Sequence, residues 1–540
     1  MSLKLSTPRN FTPGSIREEQ LKVEKDGLDV IRDLPRYATE GYQAIEPDDF
    51  IRFKWYGIYQ QKPREDGYFM LRMKIPGGQF NPAQLREIAA LTDQFAHGLG
   101  DVTTRQTIQL HWLRIEQFPE IFKRLHAVGI TTSGACGDDT RNVVGCPVAG
   151  IDPDAISDGT QELMAVSAHL TDNREFSNLP RKYKISISGC RIMCTQPDIN
   201  CVGVFGLERG KETGYGIKVG GGLSASPHLA QILPVFLKPE DILPIVHYTA
   251  VIFRDHGYRD KRSRARLKFL MADWGAEKFI TEIEKVAGRK FERHSEFVFP
   301  EDPETDHVGV RAQKQQGFYW VGICLAGGRF RGQQLMTIAD LSERYGEKGK
   351  VRICGTNKQN LIISYVPEKN VEALKLGLVA AGLVVEPSNF RKGCVSCTGI
   401  EFCNLAVTET KNRMIRLMGE LEQTCGHYKE KVRIHFSGCP SSCGQHQIAD
   451  IGFRGATRTI DGVKRECFDM FLGGKTGADA RFNVLIQPKV PHEDIHFYID
   501  KVLRAYEGKK SDSETITRWL MRSSKDDLKS IFADGNGAGA

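Results

Sequence analysis

The chain alternates between strand-type and helix-type hydrophobic patterns around residue 70. TIQLHWLRI (107–115) places apolar side chains at about every second position, as half-buried strands do. The apolar run YFMLRMKI (68–75) is also predicted to be a strand. PAQLREIAALTDQFA (82–96) and FPEIFKRLHAVG (118–129) repeat apolar residues every three or four positions, which predicts amphipathic helices. Strands mixed with helices in this order predict an α+β sandwich of the ferredoxin-like type.

The same pattern occurs twice in the chain. GYFMLRMKIPGGQF from residue 67 resembles GFYWVGICLAGGRF from residue 317, an offset of 250. TTRQTIQL resembles TNKQNLII at an offset of 253, and KYKISISGCRIMC resembles KVRIHFSGCPSSC at an offset of 249. Offsets this constant indicate an internal duplication, and the period is too long for a solenoid. We therefore predict two copies that pack about a pseudo-twofold axis.

Each copy continues with a glycine- and cysteine-rich loop and then a strand that ends in Ser-Gly-Cys. In the second copy this part contains two cysteine pairs, Cys397-x5-Cys403 and Cys439-x3-Cys443. Four thiolates brought together form a soft tetrahedral site for zinc or an iron–sulfur cluster, and these spacings differ from the CxxC pairs of common zinc ribbons. If a helix starts at Pro440, Cys439 and Cys443 lie one turn apart on one face.

The first copy retains only part of this set. Cys190 and Cys194 align with the second pair, whereas at an offset of 249 the first pair aligns with Val148 and Asp154, which supply no thiolate. We therefore predict a complete four-cysteine set in the second copy alone. Cys190 and Cys194 are interpreted as remnants of the duplication.

The remaining cysteines are interpreted as buried core residues, the usual role of an isolated cysteine in a folded domain. They are Cys136, Cys146, Cys201, Cys324, Cys354, Cys425 and Cys467. Two alternatives stay open. Cys394 could replace Cys397 as a ligand, and the remnant pair could join Cys146 or Cys201 in a second cluster, which is the less favoured hypothesis.

Composition is that of an ordinary globular protein. Of 540 residues, 40% are hydrophobic and 26% charged. A net charge of +7 is too diffuse to indicate nucleic-acid binding, but it suits an acidic protein partner or a small anion. The densest basic run, RDKRSRARLK (259–268), is interpreted as a solvated helix face. No signal peptide or membrane-spanning run is recognisable, so we predict a cytoplasmic protein without a membrane partner.

Together these motifs resemble the siroheme- and [4Fe–4S]-dependent sulfite and nitrite reductases. CTGIEFC (397–403) and SGCPSSCGQHQIADIG (437–452) resemble the two cluster segments of that family, and the similarity runs from about residue 53 to about residue 520 in the family's order. The resemblance implies that both cysteine pairs, Cys397, Cys403, Cys439 and Cys443, bind one [4Fe–4S] cubane. It also implies that Cys443 is the axial ligand of the siroheme iron.

The resemblance implies an anion site as well. Siroheme carries several carboxylates and its substrate is a small oxyanion, so cations must neutralise both. Arg105, Arg141, Lys182 and Lys184 occupy the family's substrate-binding positions. They are implied to hold the oxyanion, to polarise the bond that breaks and to relay protons. Lys182 and Lys184 have the i, i+2 spacing that places both on one face of a strand.

Three of these cations, Arg105, Arg141 and Lys182, are also implied to bind siroheme, together with Cys443 and two polar residues of the second cluster segment, Ser441 and Gln445. Ser441 stands where many relatives have Asn. A hydrogen bond from its hydroxyl to a siroheme carboxylate is an expectation that this departure puts in question.

Lys184 bears on the choice of substrate. Family members specialised for nitrite commonly have Lys-x-Asn at this position, whereas sulfite reducers have Lys-x-Lys. Because sulfite is largely a dianion near neutral pH and nitrite is a monoanion, a second cation favours sulfite. We therefore predict six-electron reduction of sulfite to sulfide, with reduction of nitrite to ammonia as the alternative. Tyr59 and Cys136 lie in segments expected near the pocket, and whether they interact stays open.

The electron donor is predicted to be another protein. No GxGxxG follows a predicted strand, and no flavin or nicotinamide domain is recognisable. The basic charge balance suits an acidic ferredoxin, with an external flavoprotein as the alternative. Two other classes of protein are less consistent with the sequence. A non-redox zinc protein would not explain the anion-binding segments, and a nucleic-acid-binding protein would need a denser positive charge.

The predicted fold is therefore α+β and internally duplicated, with two ferredoxin-like half-domains and two mixed α/β siroheme/cluster lobes. The predicted boundaries are an N-terminal wrapping segment at 1–60, half-domain 1 at 61–132, lobe 1 at 133–305, half-domain 2 at 306–386, lobe 2 at 387–530 and a flexible tail at 531–540.

Overall fold

The computed structural model describes residues 16–299, 301, 306–460 and 462–533. The chain divides into two compact units. Unit 1 comprises Met1–Gly222, His228–Ile323 and Phe330–Val385, and unit 2 comprises Leu223–Pro227, Cys324–Arg329 and Glu386–Ala540. Most of the predicted tail lies outside the described residues. None of the described helices is both long and apolar enough to span a bilayer.

Up to residue 385 the helices are α1 (Arg17–Glu24), α2 (Leu34–Glu40), α3 (Asp49–Arg52), α4 (Pro82–Phe95), α5 (Phe118–Ala127), α6 (Thr160–Leu170), α7 (Pro239–His256), α8 (Leu267–Ala287), α9 (Gly332–Tyr345) and α10 (Val371–Ala380). The strands of this part are β1 (Ile58–Gln60), β2 (Phe69–Arg72), β3 (Gln79–Phe80), β4 (Leu99–Val102), β5 (Ile108–Leu113), β6 (Val144–Gly145), β7 (Ile185–Ser188), β8 (Val202–Arg209), β9 (Glu212–Val219), β10 (Gln231–Ile232), β11 (Val235–Phe236), β12 (Glu292–Arg293), β13 (Gly309–Ala312), β14 (Phe318–Ile323), β15 (Arg329–Arg331), β16 (Arg352–Gly355) and β17 (Leu361–Pro367).

After residue 385 the helices are α11 (Asn389–Lys392), α12 (Lys411–Thr424), α13 (Ile495–Lys509), α14 (Ile516–Arg522) and α15 (Lys525–Ser530). The strands are β18 (Cys394–Ser396), β19 (Ile434–Ser437), β20 (Ile451–Ile460), β21 (Val463–Leu472) and β22 (Val484–Pro491).

The predicted ferredoxin-like pattern forms in both copies. The strand predicted at residues 68–75 forms as β2, in which Phe69 and Leu71 are buried whereas Met70 and Arg72 are only partly buried. The helix predicted after it is α4, which begins with a capping box between Asn81 and its N3 residue. The two sheets have matching strand orders, β1-β2-β5-β4-β15 and β13-β14-β17-β16-β3. The duplicated α+β fold is thus confirmed.

Each of these sheets takes its last strand from the other copy. β3 follows the first Gly-Gly turn and joins the second sheet beside β16, and β15 follows the second Gly-Gly turn and joins the first sheet beside β4. The turn needs glycine because Gly78 has a φ of +67°, and a Cβ there would lie 2.8 Å from the carbonyl oxygen of Gly355. The exchange makes the two half-domains structurally dependent on each other.

The two cysteine-bearing lobes contain sheets of one design. In unit 1, β6, β7 and β8 run parallel, and β9 and β10 continue the sheet in antiparallel fashion. In unit 2, β18, β19 and β20 run parallel, and β21 and β22 are antiparallel. The central strands β7 and β19 are buried along their whole length, as expected for parallel strands covered on both faces.

Strand register relates the two lobes more accurately than the sequence alignment does. β7 and β19 correspond at an offset of 249, as predicted. Val144 of β6 and Val395 of β18, which pair with equivalent residues of β7 and β19, are 251 positions apart. The predicted alignment of the first cysteine pair with Val148 and Asp154 was therefore wrong by two residues, because the chain leading into β7 is two residues longer in the first lobe.

With the corrected register, Cys146 is the counterpart of Cys397, and Asp152 is the counterpart of Cys403. The backbone agrees with this assignment, since the N–H groups of Asp152 and Cys403 each donate to the carbonyl oxygen four residues earlier at 3.0 Å. The first lobe therefore retains three of the four cysteines, and a carboxylate replaces the fourth.

Candidate functional site

The four cysteines of the second copy all lie in unit 2, on two loops that follow parallel strands. Cys397 and Cys403 lie in the loop after β18, and Cys439 and Cys443 lie in the loop after β19. No α-helix starts at Pro440, so that expectation was wrong. The segment instead forms tight turns, because nearby residues adopt left-handed backbone conformations.

The four sulfur atoms share one electrostatic environment. Burial, and then the negative charge of Cys443, raises the pKa of the Cys397 thiol to about 12. Burial and the charges of Cys443 and Cys439 raise the pKa of Cys403. The N–H of Gly438 donates to the Sγ of Cys397 at 3.1 Å. Burial and the repulsion between neighbouring thiolates thus keep these thiols protonated when no metal is bound. Metal binding displaces the protons, and four thiolates are the ligand set of an iron–sulfur cluster.

Cys443 differs from the other three cysteines in its accessibility. Cys439 is buried and Cys397 and Cys403 are partly buried, whereas Cys443 is exposed. Exposure suits a sulfur that must reach a second group beyond the cluster. Ser441 is partly buried in the turn between Cys439 and Cys443, and Gln445 follows it, buried, with a φ of +58°.

In unit 1, Arg105 lies between β4 and β5 and is bound mostly to main-chain oxygens. It donates from Nη1 to Asn200 Oδ1 at 2.8 Å, and from Nη2 to the carbonyl oxygens of Asn142 at 2.5 Å and Ile185 at 2.9 Å. Among the described residues it forms no ion pair with a carboxylate. Burial lowers its pKa to about 9, and neighbouring arginines add to this effect. Its charge is therefore available for an external anion.

Arg141 is held in a similar way. It is 9% exposed and donates from Nη1 to the carbonyl oxygen of Ala135 at 3.3 Å and from Nη2 to that of Gly137 at 2.9 Å. Its buried Nε has no hydrogen-bond partner in the described part of the chain. A buried cation that lacks a carboxylate partner is unfavourable unless an anion compensates it. This is the environment that siroheme carboxylates and an oxyanion require.

Tyr59 and Cys136, whose relationship the sequence left open, lie close enough for each group to affect the ionisation of the other. Arg72 donates to the Sγ of Cys136 at 3.0 Å, and its guanidinium lies 5.8 Å from the centre of the Tyr59 ring. Although burial opposes ionisation, the charges of Arg72 and Arg141 lower the pKa of Cys136. Arg72 therefore extends the group of cations beyond the residues found from the sequence.

Lys182 and Lys184 immediately precede β7. Both are partly exposed, whereas Tyr183 and Ile185 are buried, so the two lysines share one face of the chain as their spacing predicted. The charge of Lys184 also contributes to the lowered pKa of Cys201. The four predicted cations thus belong to one unit, and Arg105 and Arg141 lie close enough to affect each other's charge.

The basic run at 259–268 is not a solvated helix face, and that interpretation was wrong. Arg259 is buried and forms an ion pair with Glu19 at 2.6 Å. Arg266 is buried and donates to Cys201 Sγ at 3.4 Å. Burial, and then the charge of Arg266, lowers the pKa of Lys268 to about 8. No sequence signal distinguishes these residues from surface cations, because only the fold buries them.

The chain matches two protein-family models. A family model described as the nitrite and sulphite reductase 4Fe-4S domain matches residues 136–291 and 389–526. A second, described as the nitrite/sulfite reductase ferredoxin-like half domain, matches residues 60–128 and 311–381.

Similar whole proteins carry both kinds of name. A sulfite reductase [ferredoxin] of Mycolicibacterium paratuberculosis is 37% identical, with 95% of each chain covered. An assimilatory ferredoxin-dependent nitrite reductase of Haloferax mediterranei is 36% identical, with 93% of this chain and 91% of that protein covered. The solved structure of the Mycobacterium tuberculosis NirA protein superposes with a TM-score of 0.90 at 35% identity, covering 96% of this chain and 98% of that one.

Proposed function

The chain belongs to the nitrite and sulfite reductase family, an oxidoreductase family whose cofactors are siroheme and a [4Fe–4S] cluster. We propose that it reduces sulfite to sulfide with electrons from ferredoxin. The choice of sulfite rests on one observation. Several buried or partly buried cations lie in unit 1, and two of them, Lys182 and Lys184, share one face of the chain before β7. A dianion gains more from this arrangement than a monoanion.

We propose that Cys397, Cys403, Cys439 and Cys443 would hold the cluster and that Cys443 would also hold the siroheme iron. The shared electrostatic environment of the four thiols supports the first assignment. The exposure of Cys443 supports the second. When bound, these two groups supply the electrons and the iron at which the anion is reduced.

The protein's own cations bind the anion and the siroheme carboxylates. Arg105 and Arg141 are held rigidly by carbonyl oxygens, so their remaining donor capacity and charge are preorganised for an oxyanion. Lys182 and Lys184 carry mobile ammonium groups and are the proposed proton donors to the oxygen that leaves as water. We extend the cation set to Lys268, which is buried beside Arg266.

Ser441 and Gln445 are proposed to hydrogen-bond siroheme carboxylates. Both lie in the turn that carries Cys443, so their side chains are positioned by the same backbone that positions the axial ligand. The left-handed conformation of Gln445 supports a specialised role, because this backbone state is uncommon outside glycine.

The decisive experiment measures steady-state kcat/KM for sulfite and nitrite on one preparation, with reduced ferredoxin as the donor. We expect the larger kcat/KM with sulfite. The names of the Haloferax relative and of the Leptolyngbya laminosa ferredoxin–nitrite reductase, 35% identical, support nitrite as the second candidate. Equal or better efficiency with nitrite would overturn the sulfite assignment.

The proposed donor is tested in parallel. The relatives are named as ferredoxin-dependent enzymes, and the net charge of +7 suits an acidic partner. We expect turnover with reduced ferredoxin that decreases as ionic strength rises, because salt screens the attraction between the proteins. Turnover with NADPH alone at a comparable rate would contradict this donor assignment.

A further inference from the structure

Unit 1 contains a group of three cysteine thiols that the proposed reaction does not use. Cys146, Cys190 and Cys194 are all buried, and their sulfur atoms lie within 4.8 Å of one another. The Sγ atoms of Cys190 and Cys194 are 3.7 Å apart. Within the described part of the chain, no other group of three or more His, Cys, Asp or Glu residues brings its ligand atoms this close together.

The loop that carries two of these cysteines has the backbone of a metal-binding loop. In the first lobe, Met193 and Gln196 have φ values of +48° and +55°. Their counterparts in the second lobe, Ser442 and Gln445, have φ values of +56° and +58°. The N–H groups of Gln196 and Gln445 each donate to the carbonyl oxygen three residues earlier. Both loops therefore present their cysteines in the same way.

The third cysteine is also in a ligand position. Cys146 is the structural counterpart of Cys397, because Val144 and Val395 pair with equivalent residues of β7 and β19. Cys146 therefore stands where the second lobe has a proposed cluster ligand. This correspondence favours a binding site over the remnant pair that the sequence suggested.

The spacing of the sulfurs fits a single ion better than a cluster. A tetrahedral zinc ion with metal–sulfur bonds of about 2.3 Å holds its sulfur ligands about 3.8 Å apart. In a cubane each thiolate binds a different iron, so the sulfurs lie farther apart. The observed 3.7 Å fits the single ion. The four cysteines of unit 2 contain no group of three within 4.8 Å, in keeping with a larger cluster.

The surroundings also suit a single closed site. Val148, Ile151, Trp320 and Ile362 form one apolar cluster with the three cysteines, so bulky side chains surround the sulfurs. Three buried sulfurs that converge on one point form a soft ligand set for a cation, and the apolar surroundings exclude water from it.

We propose that Cys146, Cys190 and Cys194 bind one structural zinc ion in the first lobe. A fourth, oxygen ligand such as a water molecule completes the tetrahedron. The ion ties the loop after β6 to the loop after β7 and so stabilises the lobe that carries Arg141, Lys182 and Lys184. This inference does not depend on which anion the enzyme reduces.

The test is elemental analysis of the full-length holoenzyme, produced in medium with added zinc. We expect about one zinc per chain, in addition to the iron of the cofactors. In Cys194→Ser the zinc content should fall at least about tenfold, because a hydroxyl is a poor zinc ligand, while the siroheme absorption bands remain. Cys425→Ser is the matched control, since Cys425 is a buried cysteine of unit 2 that bonds to Asp500. It should retain the zinc.

A second measurement needs no variant and so does not depend on how well Cys194→Ser folds. X-ray absorption at the zinc edge of the wild-type protein should show about three sulfur neighbours near 2.3 Å and one oxygen near 2.0 Å. A protein without zinc overturns the proposal. So does zinc with four sulfur neighbours, which would indicate the cysteines of unit 2, and so does additional iron with acid-labile sulfide that is lost in Cys194→Ser.

Discussion

Gln106 and Gln359 occupy equivalent positions in the duplicated chain, and each donates a side-chain hydrogen bond to the backbone of the other copy. Gln106 Nε2 donates to the carbonyl oxygen of Gly355 at 2.9 Å, and Gln359 Nε2 donates to that of Val102 at 3.0 Å. Both residues have a positive φ, of 57° and 65°. Together with the exchange of β3 and β15, this pair explains why the two half-domains fold as parts of one unit.

The first prediction concerns this pair. Gln359→Ala removes the donor to Val102 and leaves a buried carbonyl oxygen unsatisfied, so it should lower the free energy of unfolding by about 1–3 kcal/mol. The measurement is the apparent melting temperature of the holoenzyme by circular dichroism. Gln94→Ala, at an exposed position of α4, is the control and should change little. Equal melting temperatures for the two variants would contradict the role of Gln359.

The second prediction concerns the proposed axial ligand. Cys443→Ser should lose the siroheme bands from the visible spectrum and reduce turnover more than about a hundredfold, because even changes outside the ligand set reduce metal-site activity 10–100-fold. Absorption spectra and sulfite turnover are measured on the same preparation. Cys425→Ser, which changes a cysteine away from the proposed ligands, should behave as wild type. An unchanged spectrum in Cys443→Ser would refute the assignment.

The third prediction concerns the anion site. Arg105→Gln keeps hydrogen-bonding capacity but removes a preorganised charge, so kcat/KM for sulfite should fall about 10²–10³-fold. Arg105→Lys should recover part of this loss, because lysine restores the positive charge but lacks the planar guanidinium group that donates two parallel hydrogen bonds. The control is Arg264→Gln, since Arg264 is exposed and pairs with Asp273 at 3.3 Å. The role of Arg105 would be contradicted by a loss no larger than that of the control.

The fourth prediction concerns substrate choice. Lys184→Asn removes one of the two cations on the face that precedes β7. The ratio of kcat/KM for sulfite to that for nitrite should fall by about tenfold, which corresponds to about 1.4 kcal/mol. Lys211→Asn, in the exposed turn between β8 and β9, is the control and should leave the ratio unchanged. A ratio that stays constant in Lys184→Asn would remove the argument for sulfite.

The fifth prediction concerns pH. Burial lowers the pKa of Lys268 to about 8, so this cation is present below pH 8 and is lost as the pH rises above it. If it helps to bind the anion, kcat/KM should decrease above about pH 8, approaching tenfold per pH unit. Nitrite, whose charge is constant in this range, is the better probe. Lys268→Arg should extend the plateau to higher pH, and an identical profile in that variant would exclude Lys268.

Local patterns in the sequence were sufficient for much of the fold. Alternation in residues 107–115 predicted β5, and helical periodicity predicted α4 and α5, because these elements bury one face against a core and their side chains must follow the backbone period. The repeat predicted the duplication. The helix expected at Pro440 did not form, because the turns there are set by left-handed residues that no local pattern identifies.

The candidate site was predictable only where its residues carry a motif. The four cysteines of unit 2 and the cations Arg105, Arg141, Lys182 and Lys184 could be named from sequence segments that resemble a known family. Arg72, Arg266 and Lys268 could not be found in this way. The sequence gives the same residue type for a buried cation and for a surface cation, and only the packing of the folded chain distinguishes them.

The sequence by itself determined the duplicated α+β architecture, the family and the cysteine pairs, because periodicity, repetition and short motifs are properties of neighbouring positions. Tertiary structure decided the correspondence of Cys146 with Cys397, the burial of Arg259, Arg266 and Lys268 within the basic run, and the convergence of Cys146 on Cys190 and Cys194. These relationships join residues far apart in the chain. They depend on strand register. A register shift of two residues keeps every side chain on the same face of its strand, so the hydrophobic pattern of the sequence cannot reveal it.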